Sequence, residues 1–398
     1  MIASSDNYLT PEALVLIELA KTLAPKLLER AQQGETDGLV PRQSILEVQA
    51  AGLFKVLQPK RWGGYEMDPR VFYRVQMELA QGCMATAWIY GVVGVHNWQL
   101  PLFSDQAQQD VWAKNSSTLI ASTYMPMGRA EKVEGGYRFS GHWGWSSGVE
   151  HCDWILLGGL LPKHDGSEGL EHNTFLLPKA DFKIVKNFDV LGLRATASHD
   201  ISVENAFVPD HRIQRTNDYS DQGCPGRALN TNWLYRVPFI QIFQRAVSTA
   251  CIGALDGAVE HFRKRAASFV GKHGSKTAED VNAQLAVTEA MMTSDQLKLV
   301  LFRNYDRVVE CAKNNEIMPL EERLMQRAQS SAVPKLCAER VNDIMRATAA
   351  GGTYKSNPIE RIFRDLHQAR GHIANNSDAY ARAHGAVMLG LPNMDPFV

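Results

Sequence analysis

Gly135-Gly136-Tyr137-Arg138-Phe139-Ser140-Gly141-His142-Trp143-Gly144-Trp145-Ser146-Ser147-Gly148 is the stretch whose reading decides the fold. Gly135-Gly136 signals a tight hairpin, because adjacent residues free to take positive φ match the twist of paired strands. After it, Tyr137, Phe139, Trp143 and Trp145 alternate with Arg138, Ser140, His142 and Ser146. Period two sends successive side chains to opposite faces, so this is a strand with one wet face. Trp154 to Leu157, Asn173 to Leu177 and Ile201 to Val208 continue the β pattern, which begins upstream near Ile120.

Both flanks are helical. From about Pro11 to Trp112, Leu16, Leu19, Leu23 and Leu27 form one apolar stripe, and Ile45, Val48, Leu53 and Phe54 follow at helical spacing. Pro25 predicts an interruption of the first helix, since proline has no N–H and its ring meets the carbonyl four residues back. Pro59 and Trp62-Gly63-Gly64 end the second stretch, and Pro69 opens the next helix. The helical period returns from Trp233 to Leu389 in four or five long segments. Gly271 to Lys276, Asn314 to Pro319 and Ser356-Asn357-Pro358 separate them. Helices, a small β unit, then a helical bundle make an α+β chain rather than alternating βαβ units. The expected domains are an N-terminal helical domain over 1–117, a central small β-barrel or sandwich over 118–215, and a C-terminal helical bundle over 216–398.

Bulk properties narrow the function. The chain has 398 residues, 45% hydrophobic and 21% charged, as in an ordinary soluble enzyme. A net charge of −1 argues for neither a nucleic-acid nor an anionic-membrane partner. No apolar run approaches the ~20 residues that span a bilayer. Six cysteines, with no Cys-x-x-Cys pair, read as free thiols in a reducing cytoplasm, and neither a disulfide framework nor a metal site is expected. The first residues, Met1 to Asp6, lack the basic and apolar regions of an export signal. No Gly-x-Gly-x-x-Gly follows a strand, so a nicotinamide site has no support, and neither a Walker A loop nor His-Glu-x-x-His is present.

The chemistry-bearing residues are scattered. Gly144-Trp145-Ser146-Ser147-Gly148 matches the Gly-x-Ser-x-Gly nucleophile elbow, but that motif needs a strand-to-helix turn and another strand follows here. Its hydroxyls either satisfy backbone groups at a strand end or, with the Trp145 indole, line a planar aromatic ligand. His96 sits in the apolar run Tyr90-Gly91-Val92-Val93-Gly94-Val95-His96-Asn97-Trp98, where it is either a core residue or a site residue reached past small neighbours. Arg361, Arg364 and Asp365, which precede His372, read as a solvated face, Arg370 reads equally as a phosphate contact or a subunit ion pair, and His367 reads as structural. Gly351-Gly352-Thr353 is either a helix cap or an anion-binding turn.

Assembled in order, these segments resemble the acyl-CoA dehydrogenase superfamily, and within it the oxygenase components of two-component, reduced-flavin-dependent aromatic hydroxylases. The likeness runs through Val56-Leu57-Gln58-Pro59 to Gly64, Val93 to Trp98, Trp145 to Gly148, Leu191-Gly192-Leu193-Arg194 and Arg364 to His372. It implies ortho-hydroxylation of a phenol, such as a phenolic secosteroid in steroid degradation, through a C4a-hydroperoxyflavin. Reduced FMN or FAD would come from a separate NAD(P)H:flavin reductase, molecular oxygen would be the co-substrate, and the assembly would be a homotetramer. Trp88, Ser122, Thr123 and Tyr124 would border the flavin. Trp145, Ser146 and Ser147 would face its ring, with Ser147 near N5. Gly352 and Thr353 would contact the cofactor from a neighbouring subunit, and His372 with Ile373 would sit beside C4a. His96 and Ser122 would meet the phenol. The superfamily's Arg-x-x-Phe phosphate contact is broken, since Ala266 precedes Phe269 at that spacing, leaving Arg265 as a substitute one position earlier. Where one acyl-CoA dehydrogenase branch carries a catalytic Glu, this chain has Ile373-Ala374-Asn375-Asn376, so thioester α-proton abstraction lacks its base. The rival readings are a thioester flavin dehydrogenase, a monooxygenase of another small phenol, a serine hydrolase and a helical interaction protein.

Overall fold

The computed structural model describes residues 6–395 apart from 217, 219–222 and 269–275; Phe269 and most of the linker after it thus lie outside the described residues. The N-terminal helices are α1 (Pro11–Asp37), α2 (Arg42–Ala50), α3 (Pro69–Gly82), α4 (Met84–Gly94), α5 (His96–Gln99) and α6 (Asp105–Trp112). Thr10 caps α1 by accepting the Ala13 N–H, and Gly38, at φ 66°, ends it. Asp68 and Pro69 start α3 in the same way.

Two expectations about α1 need correction. Leu19 is exposed, and the buried line runs through Leu16, Ala20, Leu23, Leu27 and Ala31. Small residues on that line let α3 come close. Pro25 does not interrupt the helix, which continues for 27 residues. Its flank is held by packing: a Cβ on Gly82 of α3 would lie 2.0 Å from the Ala24 carbonyl oxygen, so the two backbones touch there. Tertiary burial outweighs one lost helical hydrogen bond. Gly82→Ala is accordingly expected to cost ~1–3 kcal/mol through overpacking, read as a lower urea midpoint with an unchanged slope.

The strands are β1 (Ile120–Val133), β2 (Gly136–Ser146), β3 (Trp154–Pro162), β4 (Leu170–Pro178), β5 (Lys183–Val185), β6 (His199–Pro209) and β7 (Ile213–Arg215), in the order β5-β6-β2-β1-β3-β4-β7. β1 serves two partners. Its first half, from Ile120 to Thr123, runs parallel to β3, and its second half, from Arg129 to Val133, pairs antiparallel with β2. The two half-sheets fold over one another, so that Phe139 of β2 stacks on Phe175 of β4 at 4.1 Å. The unit is an open, sandwich-like sheet and not a closed barrel, since β5 and β7 do not pair among the described residues.

The C-terminal helices are α7 (Phe239–Ala246), α8 (Thr249–Ser268), α9 (Val281–Asn314), α10 (Leu320–Ala347), α11 (Pro358–Arg370) and α12 (Ser377–Met388). α8, α9 and α10 pack together, and α8 also lies against α3 and α4, joining the two helical regions. All six cysteines are free and buried. Desolvation is the main cause in each case, and it raises every one of their thiol pKa values. Among the described residues, no helix is long and apolar enough to cross a membrane.

Candidate active site

The end of β2 shapes the site. Its register against β6 shifts between Trp143 and Ser146, and within that bulge Trp145 adopts φ 68°. A left-handed backbone is costly for a bulky residue and marks a conformation that the surroundings impose. The bulge reverses the phase of the strand. Trp145, expected inward with Phe139 and Trp143, turns outward, 64% exposed, with its ring edge-on to Phe188. Ser146 turns inward and is wholly buried, its Oγ donating to the Ser122 carbonyl at 3.4 Å. A short 3-10 turn, Val149–His151, and then β3 follow, so no nucleophile elbow forms.

Ser147 lies at the centre of one group. Trp88 of α4 donates its Nε1–H to Ser147 Oγ at 3.2 Å, and the Trp88 ring meets the His372 imidazole edge to face at 5.7 Å. His372, just beyond α11, caps the turn Ile373–Asn375 by accepting the Ala374 N–H on Nδ1 at 3.1 Å. Burial pushes its pKa down to about 4, so the ring is neutral at pH 7. With Nδ1 accepting, the single ring proton sits on Nε2. His372 therefore presents a donor. Ile373 is exposed beside it.

A second group surrounds His96, the first residue of α5. Its Nδ1 is 2.6 Å from the Ile120 carbonyl oxygen, which can only accept, so Nδ1 carries the proton. Burial lowers its pKa to about 4 as well. Nε2 is left as a bare lone pair, buried and without a partner among the described residues. The Tyr124 ring lies 6.4 Å away, flanked edge-on by Phe239 and Phe243 of α7 at 5.5 and 5.4 Å. The Tyr124 hydroxyl donates to Gln99 Oε1, and Ser122 lies two residues before it on the same strand. The two groups are laced together where β1 begins and β2 ends, by the Ser146–Ser122 contact and by Thr123 Oγ1 donating to the Gly144 carbonyl at 3.0 Å.

Arg265, Gly352 and Thr353 stand apart from these groups. Arg265 leans on Gly351, where a Cβ would be 2.3 Å from Nη2, at a depression of about 390 Å³ shared with His261, Tyr354 and Asn357. Gly352 is buried, and Thr353 is exposed with its hydroxyl on the Ala350 carbonyl. The 13 residues of α11 separate this corner from His372 by about 20 Å. One chain does not bring them together.

Gln99, Phe239 and Phe243 belong to no motif in the sequence. Gln99 follows His96 by three residues on one helical face, and Phe239 and Phe243 are spaced i, i+4, so a periodicity signal existed. Their partners come from β1, more than a hundred residues away from α7.

Fold and site together define a flavoprotein of acyl-CoA dehydrogenase type. Residues 10–117 match the acyl-CoA dehydrogenase N-terminal domain and residues 246–377 its C-terminal domain, and the chain belongs to that family. It is 35% identical, over 94% of its length and 98% of the relative's, to the flavin-dependent monooxygenase oxygenase subunit HsaA of Rhodococcus jostii. It is 30% identical, over 91% of its length and 90% of the relative's, to the oxygenase component of the FADH(2)-dependent resorcinol hydroxylase of a Rhizobium species. The crystal structure of 3-HSA hydroxylase from Rhodococcus sp. RHA1 matches with a TM-score of 0.90 at 34% identity, covering 96% of this chain and 99% of that one. Within the family, this chain is an oxygenase component of a flavin-dependent monooxygenase. The segment Ile373-Ala374-Asn375-Asn376 carries no carboxylate, and its buried Asn375 bonds the Val247 and Ala369 carbonyls.

Proposed function

We propose that the enzyme hydroxylates an uncharged polycyclic phenol, of the phenolic secosteroid class met in steroid degradation, ortho to its hydroxyl. Reduced flavin reaches it from a separate NAD(P)H:flavin reductase in the cytoplasm. The observation that carries this reading is His96 Nε2, a buried lone pair whose ring is oriented by Ile120 and which has no partner among the described residues. Buried polar atoms are rarely left unpaired, so an orphaned acceptor beside an aromatic wall suits an incoming phenolic O–H.

The residues present fit a flavin. The outward Trp145 indole offers a face for a planar ring, Ser147 and His372 offer one acceptor and one donor beside it, and Trp88 joins them. Reduced flavin, when bound, supplies the electrons and the activated oxygen. His96 accepts the phenol O–H as a hydrogen bond, which raises electron density at the ortho carbon, and takes the proton as attack on the ring makes it acidic. Ser122 borders the same oxygen, while Tyr124, Phe239 and Phe243 hold the apolar body and exclude water. His372 donates to the oxygen that departs. Thr123 and Ser146 fix the strand ends through their hydroxyls, leaving only their backbone for the ring. Arg265, Gly352 and Thr353 reach the cofactor of a neighbouring copy in a homotetramer, which accounts for their distance from His372.

The test couples the protein to a flavin reductase under ¹⁸O₂ with a polycyclic phenol and follows the product by mass spectrometry. A catechol carrying one ¹⁸O atom is expected. An unlabelled product, or flavin reduction by an acyl-CoA thioester in place of hydroxylation, overturns the reading.

A further inference from the structure

We infer that Thr196 and Ser198 fix the polarity of the Ser147 hydroxyl, making it an acceptor only, and so let the site distinguish reduced from oxidised flavin. A line of hydroxyls runs inward from Ser147: its Oγ is 2.6 Å from Ser198 Oγ, which is 2.7 Å from Thr196 Oγ1. Thr196 Oγ1 in turn donates to the Leu193 carbonyl at 2.8 Å. Each hydroxyl owns one proton. The carbonyl can only accept, so the Thr196 proton is spent there, and Thr196 must accept from Ser198. The Ser198 proton is then spent too, and Ser198 must accept from Ser147. Trp88 Nε1 can only donate, and it takes one Ser147 lone pair. What remains for a ligand is a lone pair on Ser147 and no proton.

The backbone is built around this line. Leu193 and Ala197, either side of Thr196, both lie in the left-handed region, at φ 53° and 45°. Both hydroxyl residues are almost wholly buried. Asp365 of α11 accepts the Leu193 N–H at 2.6 Å, and a Cβ on Gly192 would lie 2.1 Å from the Arg364 carbonyl oxygen, so the loop is clamped onto α11. Strain of that kind persists only where the surroundings over-determine it.

The inference rests on the proposed place of Ser147 beside flavin N5. Oxidised flavin has a lone pair at N5, whereas reduced flavin carries a proton there. Two lone pairs repel, while a lone pair and an N–H bond. Thr196 and Ser198 are thus positioning residues acting through Ser147, and they favour the reduced form.

The test measures dissociation constants for oxidised and, anaerobically, reduced flavin, and compares their ratio among variants. Ser198→Ala frees the Ser147 proton to serve an oxidised N5, so the preference for reduced flavin should fall about tenfold, the effect of one hydrogen bond changing sides. Thr196→Val, one link further in, should move the ratio the same way, and Thr196→Ser should restore it. A loop damaged without regard to polarity would weaken both forms alike and leave the ratio still. If Ser147→Ala shifts the ratio but Ser198→Ala and Thr196→Val do not, the relay is refuted. If Ser147→Ala itself leaves the ratio unchanged, the place of Ser147 beside N5 fails and the relay falls with it.

Discussion

Replacing His96 with alanine should lower the rate of phenol hydroxylation by about 10²–10⁴-fold, the usual range for removing one general base, while reduced flavin still binds. The side chain touches the second group of site residues and not the Trp88–Ser147–His372 group, which is why the two functions separate. Oxygen consumption should continue and appear as hydrogen peroxide in place of product. The pH profile adds a sharper check. His96 acts as an acceptor only when unprotonated, and burial holds its pKa down to about 4. Values of kcat/KM should therefore stay level as pH falls from 8 to 5 and drop only near 4, whereas an ordinary exposed histidine would cut them near 6.5. Unchanged product yield from His96→Ala in a reductase-coupled assay would remove the base from the mechanism.

His372→Ala should be the next most damaging change. Its Nε2–H is fixed as a donor because Nδ1 is committed to the Ala374 N–H and the ring is neutral. A pre-aimed donor toward developing negative charge is worth about 10²–10³ in rate when removed. The expected signature is a fall in product per reduced flavin consumed, with a matching rise in hydrogen peroxide and little change in the KM for the phenol. His372→Asn, which keeps an N–H on a shorter arm, should recover part of the coupling. A large KM change with normal coupling would place His372 on the substrate side instead.

Much of this was legible in the chain, and the failures have physical causes. The period-two run from Tyr137 to Trp143 marked β2 because sheet geometry forces alternation. The same rule misplaced Trp145, since a bulge is a backbone event that side-chain pattern does not encode. Leu19 and Pro25 depart from the pattern because local propensity does not encode the α3 backbone that packs against α1. Three-residue strands such as β5 and β7 are too short to show a period. His96 was visible as a lone imidazole in an apolar helix, but its tautomer depends on a carbonyl 24 residues away. The hydroxyl line behind Ser147 was invisible for the same reason: Thr196 and Ser198 join it only when β2 and the loop before β6 meet.

The six interior cysteines bear on how long such a catalyst survives. A turnover that missed its substrate would release an oxidant that attacks sulfur, and such an oxidant attacks the thiolate far faster than the thiol. Holding every sulfhydryl away from solvent and in its protonated form makes each one a poor target. Where the protein keeps its sulfur would shield it from such wasted chemistry.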